Sequence, residues 1–222
     1  MKKIGSFLNS ITNKREFNEL SLSLLTASAV LRKGKKLREI LSYLKKKKYN
    51  RRKIYEALLQ TYLFAGYPSA LISLSISAEY FKAKSKYIEG WNHNLFKESG
   101  EKNCRKIYGD KFEKLINNIS SFSPDLSDWL VTEGYGKVLG RKGLSLRERE
   151  TCNIAILTVL KFESQLYSHI NGGHRLGLQW NEINKIIDSL AVLGKNDCVR
   201  FGKNVLRSLK KRKEENKFLP PI

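Results

Sequence analysis

No apolar run in this 222-residue chain approaches the roughly 20 residues needed to span a bilayer, which excludes a helical membrane anchor as the organising feature. Cysteine is scarce too. Cys104, Cys152 and Cys198 lie 48 and 46 residues apart, fit neither a zinc nor a Cys-x-x-Cys pattern, and are expected to be reduced thiols of a cytoplasmic protein. Strand signals are poor: alternating apolar runs are absent, only four prolines occur, and no Asn-Gly or Asp-Gly turn separates two apolar segments. The N-terminus, MKKIGSFLNSITNKREF, has basic residues but no long apolar stretch, and is not expected to be a signal peptide. Negative charge is the last shortage, with 21 Asp and Glu against 42 Lys and Arg, a net charge of +21. Such an excess admits a nucleic-acid or acidic partner through counterion release. The runs Arg32–Arg38, Lys45–Lys53 and Lys210–Lys213 do not interleave with aromatics as a base-stacking platform does, so a solvated lysine-rich surface is the favoured reading.

What remains is helical and globular, with 41% hydrophobic and 28% charged residues. A first helix is expected from about Phe17 to Leu31, stopped at Gly34, and a second carries Leu37, Ile40, Leu41 and Leu44. Asn50 suits the N-cap of a helix over Arg51–Ala65 that Gly66 ends in a left-handed cap, and Pro68 opens the next helix. Trp91 and Phe96 are expected to anchor a connecting segment, with Ser120 to Pro124 as linker. A short helix from Asp125 to Tyr135 should turn Leu126, Trp129 and Leu130 inward. Ser145 and Glu148 form a capping box that opens a helix apolar from Cys152 to Leu160 except at Asn153 and Thr158. A polar break at Lys161–Gln165 follows, then a helix with His169, Gly172 and Gly173. Glu150 and His169 are thereby expected to meet across a helical corner. His93 and His174 are expected to be structural and surface residues, Trp180 and Tyr135 core or interface. Residues 49–74 and 178–205 share a pattern that pairs Ile54 with Ile183 and Gly66 with Gly194, an internal repeat in which the position of His169 falls near Ile40.

Two groups of motifs resemble the carboxymuconolactone decarboxylase and alkylhydroperoxidase D-like family. One is Glu56–Leu74, EALLQTYLFAGYPSALISL. The other is Tyr135–Ile187, with YGKVLGRKGLSLRERE, QLYSHINGGHRLGL and NEINKII. The resemblance implies an all-α, alkylhydroperoxidase D-like helical fold of two related halves that assembles into trimers or hexamers. On it, residues 1–84 form a degenerate half, 85–124 a connector, 125–206 the half with the site, and 207–222 a basic tail. The peroxidase branch uses a glutamate, a Cys-x-x-Cys pair and a histidine four residues later. Glu150 and His169 match the outer members here, but Phe162 and Gln165 stand at the cysteine positions, so thiol peroxidase chemistry lacks its nucleophile. Cys152, expected in the apolar helix, is no substitute, since burial makes a thiol inert. The decarboxylase branch is the closer likeness. It implies a lyase free of cofactor and metal that acts on a small carboxylated, lactone-type substrate. His169 would serve as general acid or base, Glu150 would orient it, Arg141 or Arg149 would fork a substrate carboxylate, and Gln165 would hold a lactone oxygen. The alternative is a non-enzymatic basic scaffold for nucleic acid or an acidic protein.

Overall fold

The computed structural model describes residues 4–81 and 92–217, with side chains to 213. Trp91, the junction expected at 84/85 and the terminal Pro-Pro-Ile lie outside the described residues. Every regular element among the described residues is helical. The first five are α1 (Ile4–Asn9), α2 (Lys14–Val30), α3 (Gly34–Lys46), α4 (Arg51–Leu59) and α5 (Tyr62–Ala78). A middle unit follows with α6 (His93–Tyr108), α7 (Phe112–Ser120), α8 (Pro124–Trp129) and a π-helix at Leu130–Val138. The last four are α9 (Leu146–Leu160), α10 (Glu163–Arg175), α11 (Trp180–Ser189) and α12 (Asn196–Lys217).

Helices α2 and α9 pack against each other at the centre of the main core. Both are buried on every face over much of their length, Glu19–Val30 in α2 and Arg149–Val159 in α9, so neither shows the one-sided pattern of a surface helix. Amphipathic α3 presents the buried Leu37, Ile40, Leu41 and Leu44 to this pair, as the sequence spacing predicts. Asn50 caps α4, its side-chain oxygen accepting from the Arg52 and Lys53 amides. Gly66, with φ 72° and ψ 171°, kinks α5 instead of ending α4, and Pro68 sits in the arm beyond it. Its ψ lies outside the left-handed helical region that the expected cap requires.

Positive-φ positions recur along the chain. Arg32 and Lys161 lie 129 residues apart, Lys48 and Gly177 also 129, and Gly66 and Gly194 128. Each pair occupies the same junction, after α2 and α9, before α4 and α11, and before the last long helical segment of each set.

The middle unit has its own small core of Cys104, Ile107, Phe112, Val131, Tyr135 and Leu139. Here α6 crosses the π-helix so closely that a Cβ on Gly100 would overlap the Val131 carbonyl, and one on Gly136 would overlap that of Phe96. One expectation changes, the inward facing of Leu126 and Trp129. Residues 125–138 pack chiefly on α6 and within this unit. Leu126 and Trp129 point outward, 52% and 56% exposed, because Ser127 and then Val131 and Tyr135 of the wider π-turn take the inward positions. Helix α12 also runs unbroken through the 206/207 boundary, with Leu209 buried.

Candidate functional site

The site is built at the corner between α9 and α10. The capping box forms as expected: the Ser145 hydroxyl accepts from the Glu148 amide, and the Glu148 carboxylate accepts from the Ser145 amide at 3.0 Å. That cap fixes the start of α9 and places Glu150 on the face turned to α10. The left-handed Lys161 ends α9 and reverses the chain, so α10 brings His169 back over Glu150. Close approach needs small residues at the contact: a Cβ on Gly172 would lie 3.3 Å from Glu150 Oε2 and 2.5 Å from Ile107 Cγ2.

His169 Nδ1 lies 2.8 Å from Glu150 Oε2, with Glu150 fully buried and the histidine side chain 8% exposed. Asn153 Nδ2 donates to Glu150 Oε1 at 3.0 Å and stands 3.4 Å from His169 Nδ1. A carboxylate can only accept, so the 2.8 Å contact is made by a hydrogen on Nδ1 donated to Glu150 Oε2. In the neutral ring this leaves the lone pair on Nε2, the nitrogen that faces away from Glu150. The Phe64 ring meets the imidazole edge to face at 5.9 Å, adding an apolar wall.

Behind the pair runs a buried chain of hydrogen bonds. Asn153 Oδ1 accepts from Gln60 Nε2 at 2.9 Å, and Gln60 Oε1 accepts from Arg149 Nη1 at 2.9 Å. Arg149 Nη2 reaches Glu56 Oε2 at 3.2 Å and the Arg141 carbonyl at 2.9 Å, while Arg141 itself forks Glu56 through Nε and Nη2 at 3.0 and 3.2 Å. Glu56, Gln60 and Asn153 are fully buried and Arg149 nearly so. Donors and acceptors alternate along the chain, so both amides are fixed in orientation. Glu56 and Glu150 oppose Arg141 and Arg149, and the cluster is electrically neutral when His169 is uncharged. Burial lowers the Arg149 guanidinium from its usual value, and Glu56 acts against that shift.

The two arginines expected to fork a substrate carboxylate both bond Glu56. Arg141 and Arg149 hold the carboxylate of Glu56, not that of a ligand, and they sit at the far end of the chain from His169. Gln165 lies on the exposed face of α10, one turn before His169. Glu56, Gln60 and Asn153 were not anticipated as site residues, although a signal was present. Asn153 interrupts an apolar run three residues after Glu150, and Glu56 and Gln60 share a face of α4 at i, i+4 spacing.

On the α6 side, Tyr108 and Tyr135 share a hydrogen bond of 2.5 Å between their hydroxyls. Burial pushes both phenols above their usual range, and the nearby Glu150 charge adds to this. The thiols are similarly held protonated. Burial raises Cys104 and Cys152 to about 12, with Glu101 and Glu150 adding at Cys104, and Cys198 is also raised by burial. His174, expected at the surface, is half-buried, stacked on Trp180 at 3.8 Å and facing the Leu178 carbonyl, while His93 is exposed at the start of α6. Among the described residues no group of three His, Cys, Asp or Glu is arranged around a common point, and no helix is long and apolar enough to cross a membrane. No family model matches the chain, and no curated protein matches it.

Proposed function

We propose that this chain is a carboxymuconolactone decarboxylase-like protein whose chemistry is proton transfer at His169 on a small carboxylated, lactone-type substrate. One observation carries the reading: the 2.8 Å contact of His169 Nδ1 with a fully buried Glu150 that Asn153 and the chain behind it hold in place. In such a lyase the bond to the leaving carboxylate breaks, carbon dioxide departs, and its electron pair passes into the conjugated carbonyl as a dienolate. The imidazolium gives its Nε2 proton to carbon and returns to the Nδ1–H form that Glu150 accepts from, then recovers a proton from solvent. Glu150 pairs the charge of the imidazolium, as a carboxylate orients histidine in other relays. Gln165 remains the candidate for a substrate oxygen, and with Arg141 and Arg149 both engaged by Glu56 the substrate carboxylate needs another partner. Thiol peroxidase activity is opposed by Phe162 and Gln165 at the cysteine positions and by thiols raised to about 12 at Cys104 and Cys152.

Two further elements belong to the same reading. The 129, 129 and 128-residue recurrence of positive-φ positions favours two related halves, of which the first lacks the proton-transfer pair. Exposed Tyr67, Leu71 and Ile72 on α5, together with Trp129, favour a homo-oligomer, for which mass photometry at micromolar concentration is the check.

The test is carbon dioxide release from a panel of small lactone and keto acids. His169→Gln is expected to lower kcat by about 100- to 10,000-fold, the usual contribution of a positioned general acid. Unchanged turnover of a substrate in that variant would remove the proposal.

A further inference from the structure

A separate cleft lies between the α1–α2 connection, α2 and the α3–α4 turn. Its cavity measures about 940 Å³ and shares no residue with the His169 chain. Five cations line it, Lys14, Arg15, Lys47, Lys48 and Lys53, and no carboxylate does. Two of the five are partly compensated from behind: Lys53 pairs with Glu148, and Arg15 acts on Glu19 and Glu182. Lys14, Lys47 and Lys48 make no ion pair among the described residues, and all three are exposed. Their placement follows from the backbone. Lys48 adopts φ 52° at the turn after α3, which folds the lysine run back so that Lys47 and Lys48 face the cleft.

The cleft also has an aromatic wall. Phe17 packs between Tyr43 and Tyr49 at centroid distances of 6.4 and 6.2 Å, each ring half-buried and lining the cavity. Tyr43 donates to Asn9 Oδ1 at 2.7 Å, and Lys47 Nζ stands 5.6 Å above the Tyr43 ring. Asn9, Asn18 and Asn50 also line the cleft, their side-chain oxygens accepting from Tyr43, from Tyr49 and from the first amides of α4. A purely polyanionic ligand has no use for three rings, and a neutral apolar one gains nothing from three unpaired lysines. A ligand with several clustered negative charges and a flat unsaturated body uses both. The volume is within the roughly 300–1,000 Å³ of small-ligand pockets, which favours a single small molecule over a strand tracking the surface.

We propose that this cleft binds a nucleotide, its phosphates on Lys14, Lys47 and Lys48 and its base against the Phe17, Tyr43 and Tyr49 wall. Ammonium groups meet phosphate as point charges with charge-assisted hydrogen bonds, and an aromatic wall is sequence-tolerant towards bases because each has a π-face.

The experiment is isothermal titration calorimetry of the full chain with ATP, and with inorganic tripolyphosphate and adenosine as the two fragments. ATP is expected to bind one to one and more tightly than either fragment. Lys47→Ala/Lys48→Ala should weaken ATP and tripolyphosphate by about tenfold or more through loss of two charge-assisted contacts. Tyr43→Leu should weaken ATP while leaving tripolyphosphate unchanged. Lys45→Ala/Lys46→Ala, on the same run but outside the cleft, should change neither. Circular dichroism melts confirm that the variants fold. The proposal is overturned if ATP gives no saturable one-to-one heat, if tripolyphosphate binds as tightly as ATP, or if the Lys45/Lys46 variant loses as much as the Lys47/Lys48 variant. It is equally overturned if a single-stranded oligonucleotide occupies the lysines and ATP does not displace it.

Discussion

Replacing Glu56 by glutamine tests the buried chain at its most charged point. The side chain keeps its shape and still accepts one hydrogen bond, but two guanidinium groups lose their shared carboxylate. Arg149 is 1% and Arg141 11% exposed, so water can hydrate neither well. Removing one partner of a buried ion pair costs about 3–5 kcal/mol because an uncompensated charge is left behind. In a protein of this length each kcal/mol lowers Tm by roughly 2–4 °C, so Glu56→Gln should melt roughly 6–20 °C below the parent. Differential scanning calorimetry reads the shift, and urea titration checks that the m value is preserved. Removing Arg149 as well, in Glu56→Gln/Arg149→Met, should recover part of the loss, since apolar replacement of a buried pair is often neutral. A Tm within about 2 °C of the parent for the single variant would refute the claim that these groups form one desolvated network.

Three other outcomes follow from the packing and electrostatics. Gly100→Ala forces a methyl against the Val131 carbonyl where neither backbone can retreat, and should lower the urea-derived stability by about 3 kcal/mol; a loss under about 0.5 kcal/mol would mean that the helix crossing yields. Ser145→Ala removes the acceptor of the α9 cap and should cost about 1 kcal/mol in the same assay, with Glu148 still bonded to the residue 145 amide. Cys104 and Cys152 are raised from 9.0 to about 12, so both stay protonated and unreactive towards iodoacetamide at pH 8 until the chain unfolds. The sign for stability is fixed by the same shift: the folded state holds these protons more tightly, so the contribution is intact below pH 9 and is lost as pH rises from 9 towards about 12. Mass-spectrometric alkylation of the native protein at pH 8 would contradict this if either thiol were labelled.

What the sequence made legible is what local physics determines. The Ser145–Glu148 capping box, the Asn50 cap and the apolar spacing of α3 depend on neighbours within a turn, and each forms as read. The meeting of Glu150 and His169 was legible for the same reason, since one helix, one polar break and a second helix leave little freedom across 19 residues. That Arg141 and Arg149 share the carboxylate of Glu56 was not legible, because Glu56 lies 85 and 93 residues away in sequence. No local pattern ties an arginine to a partner that distant. Leu126 and Trp129 stood at helical spacing and still face outward, because the π-helix that follows shifts the angular register by which inward positions are counted. Aromatic and apolar spacing alone does not announce such a widened turn. Asn153 and Gln60 were visible as polar interruptions in apolar surroundings, yet their pairing became apparent only once α4 was seen against α9.

Glu150 accepts from His169 Nδ1, which leaves the lone pair of the neutral ring on Nε2. Nitrogen-15 NMR of the histidine-labelled protein reads this directly, with His169→Gln assigning the resonance among the three histidines. In the neutral ring, a protonated Nδ1 and a bare Nε2 are expected in the parent, with loss of that preference in Glu150→Gln. A parent spectrum with the proton on Nε2, or one that Glu150→Gln leaves unchanged, would contradict it.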